Sequence, residues 1–240
     1  MAVTVAFSSG KGGTGKTTTI ETVCTYLHYA TDYRVVLLDA DLRQLSACED
    51  RENELFQLEQ MGEKVKIKQF YKAFEKESRP IYPIIRLVPG QIKETLKGLD
   101  DTTDIIFIDT PGSIDSEVLS LFLPYTDFVF IPVHPDGKTI PQTVTFARVL
   151  ENIMKSPAIQ IQDVRFFYSK YTKTKLKDAF EIGRQYVEEN TSFKFMKNEF
   201  YDNTDLVRGN LSTLLPLKGS ENPDHFITKF IEELIEIITQ

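Results

Sequence analysis

Gly10-Lys11-Gly12-Gly13-Thr14-Gly15-Lys16-Thr17 lies between a short apolar run, Val3 to Phe7, and a mixed segment that reads as a helix from Lys16 to Ala30. The octet fits the spacing G-x-x-x-x-G-K-[ST] of a phosphate-binding loop. Each element has a physical reason. Glycine tolerates backbone conformations closed to other residues, so successive N–H groups can converge on one concavity. The positive end of the following helix adds to that field. Gly10, Gly12, Gly13, Thr14, Gly15 and Thr18 are therefore expected to cradle phosphates. Lys16 reaches the β- and γ-phosphates, and the Thr17 hydroxyl is placed to ligate Mg²⁺.

Outward from the loop, short apolar runs alternate with longer mixed segments. Arg34 to Asp39, Asp104 to Asp109, Asp127 to Val133 and Val164 to Tyr168 read as strands, and Ile81 to Val88 as an extended piece bracketed by prolines. Ile105-Ile106-Phe107-Ile108 is continuously apolar, as in a sheet covered on both faces. Helical spacing marks 49–77, 114–123, 138–154, 173–189 and 224–239. The pattern predicts an α/β fold: a doubly wound, mostly parallel sheet with helices on both faces, built as one domain over 1–240.

Composition narrows the class. The 240 residues carry 28 Lys+Arg against 35 Asp+Glu, a net charge of -7, which argues against a protein whose whole surface binds nucleic acid. Gly 12 and Pro 11 are too few for a disordered chain, and no apolar run approaches a membrane span. Cys24 and Cys48 cannot make a disulfide scaffold or a four-thiolate site, and Cys24 reads as a small core residue of the first helix. The first residues lack a basic leader, so a cytoplasmic location is expected.

Two strands end in carboxylates. In an open parallel sheet the ligand crevice lies beyond the carboxyl ends of the strands, so Asp39, Asp41 and Asp109 should face the same edge as the loop. Mg²⁺ keeps several waters and suits one carboxylate plus phosphate oxygens, which fits Asp109. Thr110-Pro111-Gly112-Ser113 follows at once, and Gly112 would let a backbone N–H approach a γ-phosphate.

The octet with its second lysine, Lys11, resembles the deviant Walker A ATPases of the ParA/MinD family, and the likeness extends to about residue 170. It implies a Mg²⁺-dependent ATPase, slow without a partner, that forms an ATP-sandwich homodimer in which Lys11 reaches the other subunit's nucleotide. Asp109 looks like the Walker B aspartate. Asp39-Ala40-Asp41 resembles switch I, with Asp41 orienting the attacking water and Asp39 nearer the metal, and 110–113 resembles switch II. Lys11, Lys16 and Asp41 are thus the catalytic set; Thr17, Asp39 and Asp109 are the metal set. The family often continues Pro-Gln after the second aspartate, whereas this chain has Leu42-Arg43-Gln44. It often places Asn after the strand ending at Tyr168, whereas this chain has Ser169, leaving the adenine contact unassigned.

Within that family several branches separate on residues. No Asn-Lys-x-Asp reads guanine. The closing helix has an acidic polar face, Glu232, Glu233 and Glu236, so acidic lipids would repel it and no membrane role is expected. Arg165, Lys170, Lys173, Lys175 and Lys177 form a run without an acidic residue, able to contact DNA phosphates without reading sequence. The family then implies plasmid or chromosome partition, with ATP dimers on non-specific DNA, association with the nucleoid and a centromere-binding partner protein that stimulates hydrolysis. A nucleotide-gated adaptor of a conjugative or mobile element, and a small-molecule ATP-dependent ligase or kinase, are the alternatives.

Overall fold

A computed structural model describes residues 2–41, 46–61, 80–99, 101–134, 136, 138–171, 177–201, 213–214 and 222–240. The strands are β1 (Val3–Ser9), β2 (Val35–Asp39), β3 (Ile84–Arg86), β4 (Ile105–Gly112), β5 (Phe128–Val133), β6 (Asp163–Tyr171), β7 (Lys194–Phe195) and β8 (Phe200–Tyr201). They form one eight-stranded sheet in the order β3-β2-β4-β1-β5-β6-β7, with β8 pairing the later part of β6. Every pairing is parallel. The helices are α1 (Lys16–Ala30), α2 (Ser46–Met61), α3 (Ile92–Leu99), α4 (Ser116–Ser120), α5 (Thr139–Ile153), α6 (Lys177–Asn190) and α7 (Phe226–Ile238).

Side chains alternate across each strand, so the apolar runs divide between two cores. Val5, Phe7, Ile105, Phe107, Phe128, Phe130 and Phe167 face α1 and α7. Ala6, Ile106, Ile108, Val129, Ile131, Val133 and Phe166 face α3, α4, α5 and α6. The first core is aromatic at its centre: the Phe7 ring lies 5.6 Å from Phe130 and 5.8 Å from Phe167, and Phe167 meets Phe230 of α7 at 5.1 Å. The closing helix therefore packs on the sheet. It buries Ile227, Phe230, Ile231, Leu234 and Ile238, each worth about 2 kcal/mol before ordering costs. Its acidic face turns outward, and Glu233 accepts the backbone N–H groups of Lys197 and Asn198 at 2.6 and 2.8 Å. Among the described residues no helix is long and apolar enough to cross a membrane.

Several boundaries differ from the pattern reading. β4 runs on through Thr110-Pro111-Gly112 instead of ending at Asp109, because β1 also extends and Ser9 pairs with Gly112. The helix expected over 114–123 shortens to Ser116–Ser120, started by Asp115, whose side chain accepts the Glu117 N–H at 2.9 Å. A separate 3-10 turn at Leu123–Tyr125 follows, with Pro124 in its first turn. β6 reaches Tyr171, three residues past the expected end, and there gains β8 as a partner. Of the helix expected over 49–77, α2 accounts for 49–61, and 62–77 lie outside the described residues.

Candidate functional site

β1 ends at Ser9, the loop turns over Gly10 to Gly15, and α1 starts at Lys16. Gly13 and Gly15 hold φ values of 74° and 86°, a region that costs residues with a Cβ about 1–2 kcal/mol. Gly15 is the N-cap and brings no side chain to the helix end, so the α1 amides stay open to an anion. Gly10 is needed for a different reason: a Cβ there would lie 2.6 Å from Ile114 and 3.0 Å from Phe146. Lys16 is buried at 7% exposure, whereas Lys11, Gly12 and Gly13 are exposed. Thr18 is half-buried on the first turn of α1, where its carbonyl accepts the Thr22 hydroxyl at 2.7 Å.

The parallel register brings the carboxylates together. Asp39 on β2 pairs with Asp109 on β4, at the carboxyl edge beside the loop. The Thr17 hydroxyl donates to Asp109 Oδ2 at 2.6 Å. Its one proton is then committed, so the contact from Thr17 Oγ1 to Ser46 Oγ at 3.0 Å has Ser46 donating. Asp109 Oδ1 is buried and has no hydrogen-bond partner among the described residues. Burial pushes the Asp109 carboxyl up to about 7; the Lys16 ammonium and the Thr17 hydroxyl pull against that rise, and Asp39 and Asp41 add to it. A buried carboxylate with an orphaned oxygen beside a hydroxyl is a donor set that fits a hard divalent cation. Thr17 and Asp109 are the residues that would hold it.

Asp39 has a different geometry. Its Oδ1 accepts the Asp41 N–H at 3.2 Å and its Oδ2 the Cys48 N–H at 3.0 Å. It ties together the two ends of the segment between β2 and α2. Burial raises its pKa, and the two amide bonds work against that rise. Asp41 follows one residue after β2, half-buried at the same edge. Leu42, Arg43 and Gln44 lie outside the described residues.

Gly112 presses directly on the phosphate loop. A Cβ at this position would sit 2.7 Å from the Gly12 nitrogen and 2.7 Å from the Lys11 carbonyl carbon. The Ser113 N–H donates to the Ser9 carbonyl at 3.1 Å. The buried Thr110 hydroxyl donates to the Phe7 carbonyl at 2.9 Å and lies 3.0 Å from Ser8 Oγ. The 110–113 segment is thus fastened to β1 and to the start of the loop.

Of the basic run, Arg165 is the member described with its side chain. Arg165 sits within β6, opposite Phe130, and is held by Asp163 at 2.7 Å. Four residues of strand separate it from Lys170, about 16 Å along the sheet. Lys173 and Lys175 lie outside the described residues, as do the side chains of Lys170 and Lys177. Arg184 on α6 turns inward, donating to the Met196 carbonyl and to Glu199.

Three hydroxyls at the site carry no motif: Ser9, Ser46 and Ser169. Ser9 and Ser46 stand at a strand end and a helix start, and Ser169 stands where the family often has Asn. A buried polar cluster behind α1 has no sequence signal either. The Arg51 guanidinium donates to the Tyr82 carbonyl at 3.0 Å and to the Thr213 hydroxyl and carbonyl at 2.8 and 3.0 Å, with Tyr82's ring 4.7 Å below it. Glu54 accepts from the Thr213 hydroxyl and N–H. Glu21, wholly buried, has its pKa raised well above the carboxylate range by burial.

A glycine loop between strand and helix, two carboxylates paired across neighbouring strands, and a second lysine in the loop define a P-loop protein of the ParA/MinD type. The chain matches the model of the family described as ATPase MipZ over residues 3–135 and belongs to that family. It is similar to an uncharacterized ATP-binding protein of Methanocaldococcus jannaschii, 27% identical along a 164-residue alignment that covers 64% of this chain and 61% of that protein. The chain thus spans about three fifths of the length of that curated relative. Two solved structures share the fold: a ParA family ATPase from Chlorobium tepidum (TM-score 0.65, 13% identity, covering 100% of this chain and 98% of the other) and the septum site-determining protein MinD of Pyrococcus horikoshii, solved with Mg-ADP (TM-score 0.65, 17% identity, 100% and 97%).

Proposed function

We propose that this chain is a Mg²⁺-dependent ATPase that dimerises on ATP, binds DNA without reading its sequence and acts in partition of a plasmid, chromosome or similar element. The observation that carries the nucleotide part is the contact of Thr17 with Asp109 beside a phosphate loop whose helix end is left open. The likeness to MinD solved with Mg-ADP supports the same cofactors here.

In this reading the loop amides and Lys16 bind the phosphate oxygens, and Thr17 and Asp109 hold Mg²⁺, which supplies charge neutralisation at the β- and γ-phosphates. Asp39 keeps the Asp41 segment at the edge of the sheet, where Asp41 orients water for in-line attack. Gly112, lying against Gly12, reports the γ-phosphate to α4 through the 110–113 segment. Lys11, exposed at the start of the loop, reaches the nucleotide of a second copy. A centromere-binding protein would stimulate turnover. Basic residues of the 170–177 segment, presented twice by a dimer, supply the DNA contact; Arg165, spent on Asp163, adds little.

A DNA-retardation titration with ATP, ADP and no nucleotide, repeated across a salt series, tests this. Binding seen with ATP alone and weakened steeply by salt is expected. Binding that ignores the nucleotide, or none under any condition, overturns the partition reading.

A further inference from the structure

Ser169 occupies the position for which the sequence pattern offers no role, and its side chain is almost wholly buried. β6 carries it to the carboxyl edge, where its hydroxyl donates to the Thr14 carbonyl at 2.6 Å. Its proton is committed there. On the other side of the loop, buried Ser9 donates to the Lys11 carbonyl at 2.8 Å and lies 3.1 Å from the Thr14 hydroxyl. Ser9 has one proton to give, so it is Thr14 that donates in this second contact. A buried chain of hydroxyls, Thr14 to Ser9 to the Lys11 carbonyl, thus closes the loop from within.

Peptide geometry gives these bonds a consequence. In a planar trans peptide the carbonyl and the next residue's N–H point in opposite directions. Fixing the Lys11 carbonyl on Ser9 turns the Gly12 N–H the other way, and fixing the Thr14 carbonyl on Ser169 does the same for the Gly15 N–H. Both peptides run into glycine, which resists a flip least. A flipped peptide would aim a carbonyl oxygen at the anion, replacing attraction with repulsion. Loop glycines make the cradle reachable, and the two serines select it.

We infer that Ser169 and Ser9 are positioning residues that hold the phosphate loop in its anion-binding form before nucleotide arrives. This deepens the nucleotide reading given above and rests on it. Two different strands, β1 and β6, thereby grip one loop, and the ordering cost is met on folding instead of on binding.

The test compares the full-length chain with Ser169→Ala and Ser9→Ala by calorimetric titration with Mg-ADP, by ligand-observed NMR with adenosine, and by steady-state turnover. Each variant is expected to bind Mg-ADP about tenfold more weakly, the loss of one buried hydrogen bond. Adenosine, which has no phosphate, should bind as it does to the wild type. Turnover should show KM raised about tenfold with kcat within about twofold, because the loop is restored once phosphate is bound. Wild-type affinity for Mg-ADP in both variants overturns the inference, as does an equal loss for adenosine, which would mark general damage to the fold. Absence of Mg-ADP binding by the wild type itself overturns the nucleotide reading instead, and is seen before any variant is compared.

Discussion

Asp109→Asn should make the ligand-free protein more stable while removing its response to Mg²⁺. The wild-type carboxyl is wholly buried, with one oxygen bonded to Thr17 and the other without a partner among the described residues. Burial lifts its pKa from 3.8 to about 7. A carboxyl raised on folding costs nothing below the unfolded value, costs more as pH climbs through the interval, and reaches its full cost above the folded value. Across this interval the cost is about 2 kcal/mol at pH 5.5 and about 4 kcal/mol above pH 7.5. Asparagine keeps an acceptor for Thr17 and never ionises. At roughly 2–4 °C per kcal/mol for a chain of this size, the variant should melt on the order of 10 °C above wild type at pH 8, and the gap should narrow at pH 5.5. Thermal melts of both proteins at four pH values, with EDTA and again with Mg-ADP, measure it. With Mg-ADP the wild type should regain stability and the variant should not. A variant that melts at or below wild type at pH 8, or a gap that ignores pH, would refute the argument that this carboxylate is kept under strain for a cation.

Four further outcomes are expected. Lys16→Ala should abolish nucleotide binding by titration calorimetry, since the buried loop would lose its one enclosed ammonium. Lys11→Ala should bind ATP with affinity within about threefold of wild type yet remain monomeric by light scattering; an ATP dimer in this variant rules out a role across the interface. Asp41→Ala should lower kcat at least about 100-fold with little change in nucleotide affinity, as loss of a water-orienting group does. Equal and negligible rates in wild type and variant would favour a nucleotide-gated adaptor. Arg51→Ala, read by urea unfolding, should cost about 3–5 kcal/mol, because the Tyr82 carbonyl and the Thr213 hydroxyl and carbonyl would each lose a charged donor in a buried site.

Much of the site was legible because it is local. The octet fixes its own shape through glycine conformations, and the strand before and helix after it follow from apolar spacing within about ten residues. α1 begins and ends at the residues the pattern predicts. Asp109 was legible for a related reason: a carboxylate closing an apolar strand must lie at one particular edge of a parallel sheet. The strand ends that moved furthest, at β4 and β6, lie where a neighbouring strand prolongs the ladder, which no single segment can encode. Asp39 pairs with Asp109 at the expected edge, whereas its bonds to the Asp41 and Cys48 amides had no signal in the sequence. The basic run looked continuous in sequence, and β6 sets Arg165 about 16 Å from Lys170 along the strand.

By itself the sequence determined the chemistry available: a phosphate loop with two lysines, aspartates at strand ends, an acidic closing helix, and hence the family. Glycine and proline conformations and apolar periodicity act over a few residues, so they can be read along a chain. Tertiary structure alone decided which hydroxyl meets which carbonyl. Ser169 meets Thr14 across 155 positions, and Thr17 meets Asp109 across 92. These contacts depend on strand order and register, properties of the whole sheet, and they set the loop's shape and the charge state of its carboxylate.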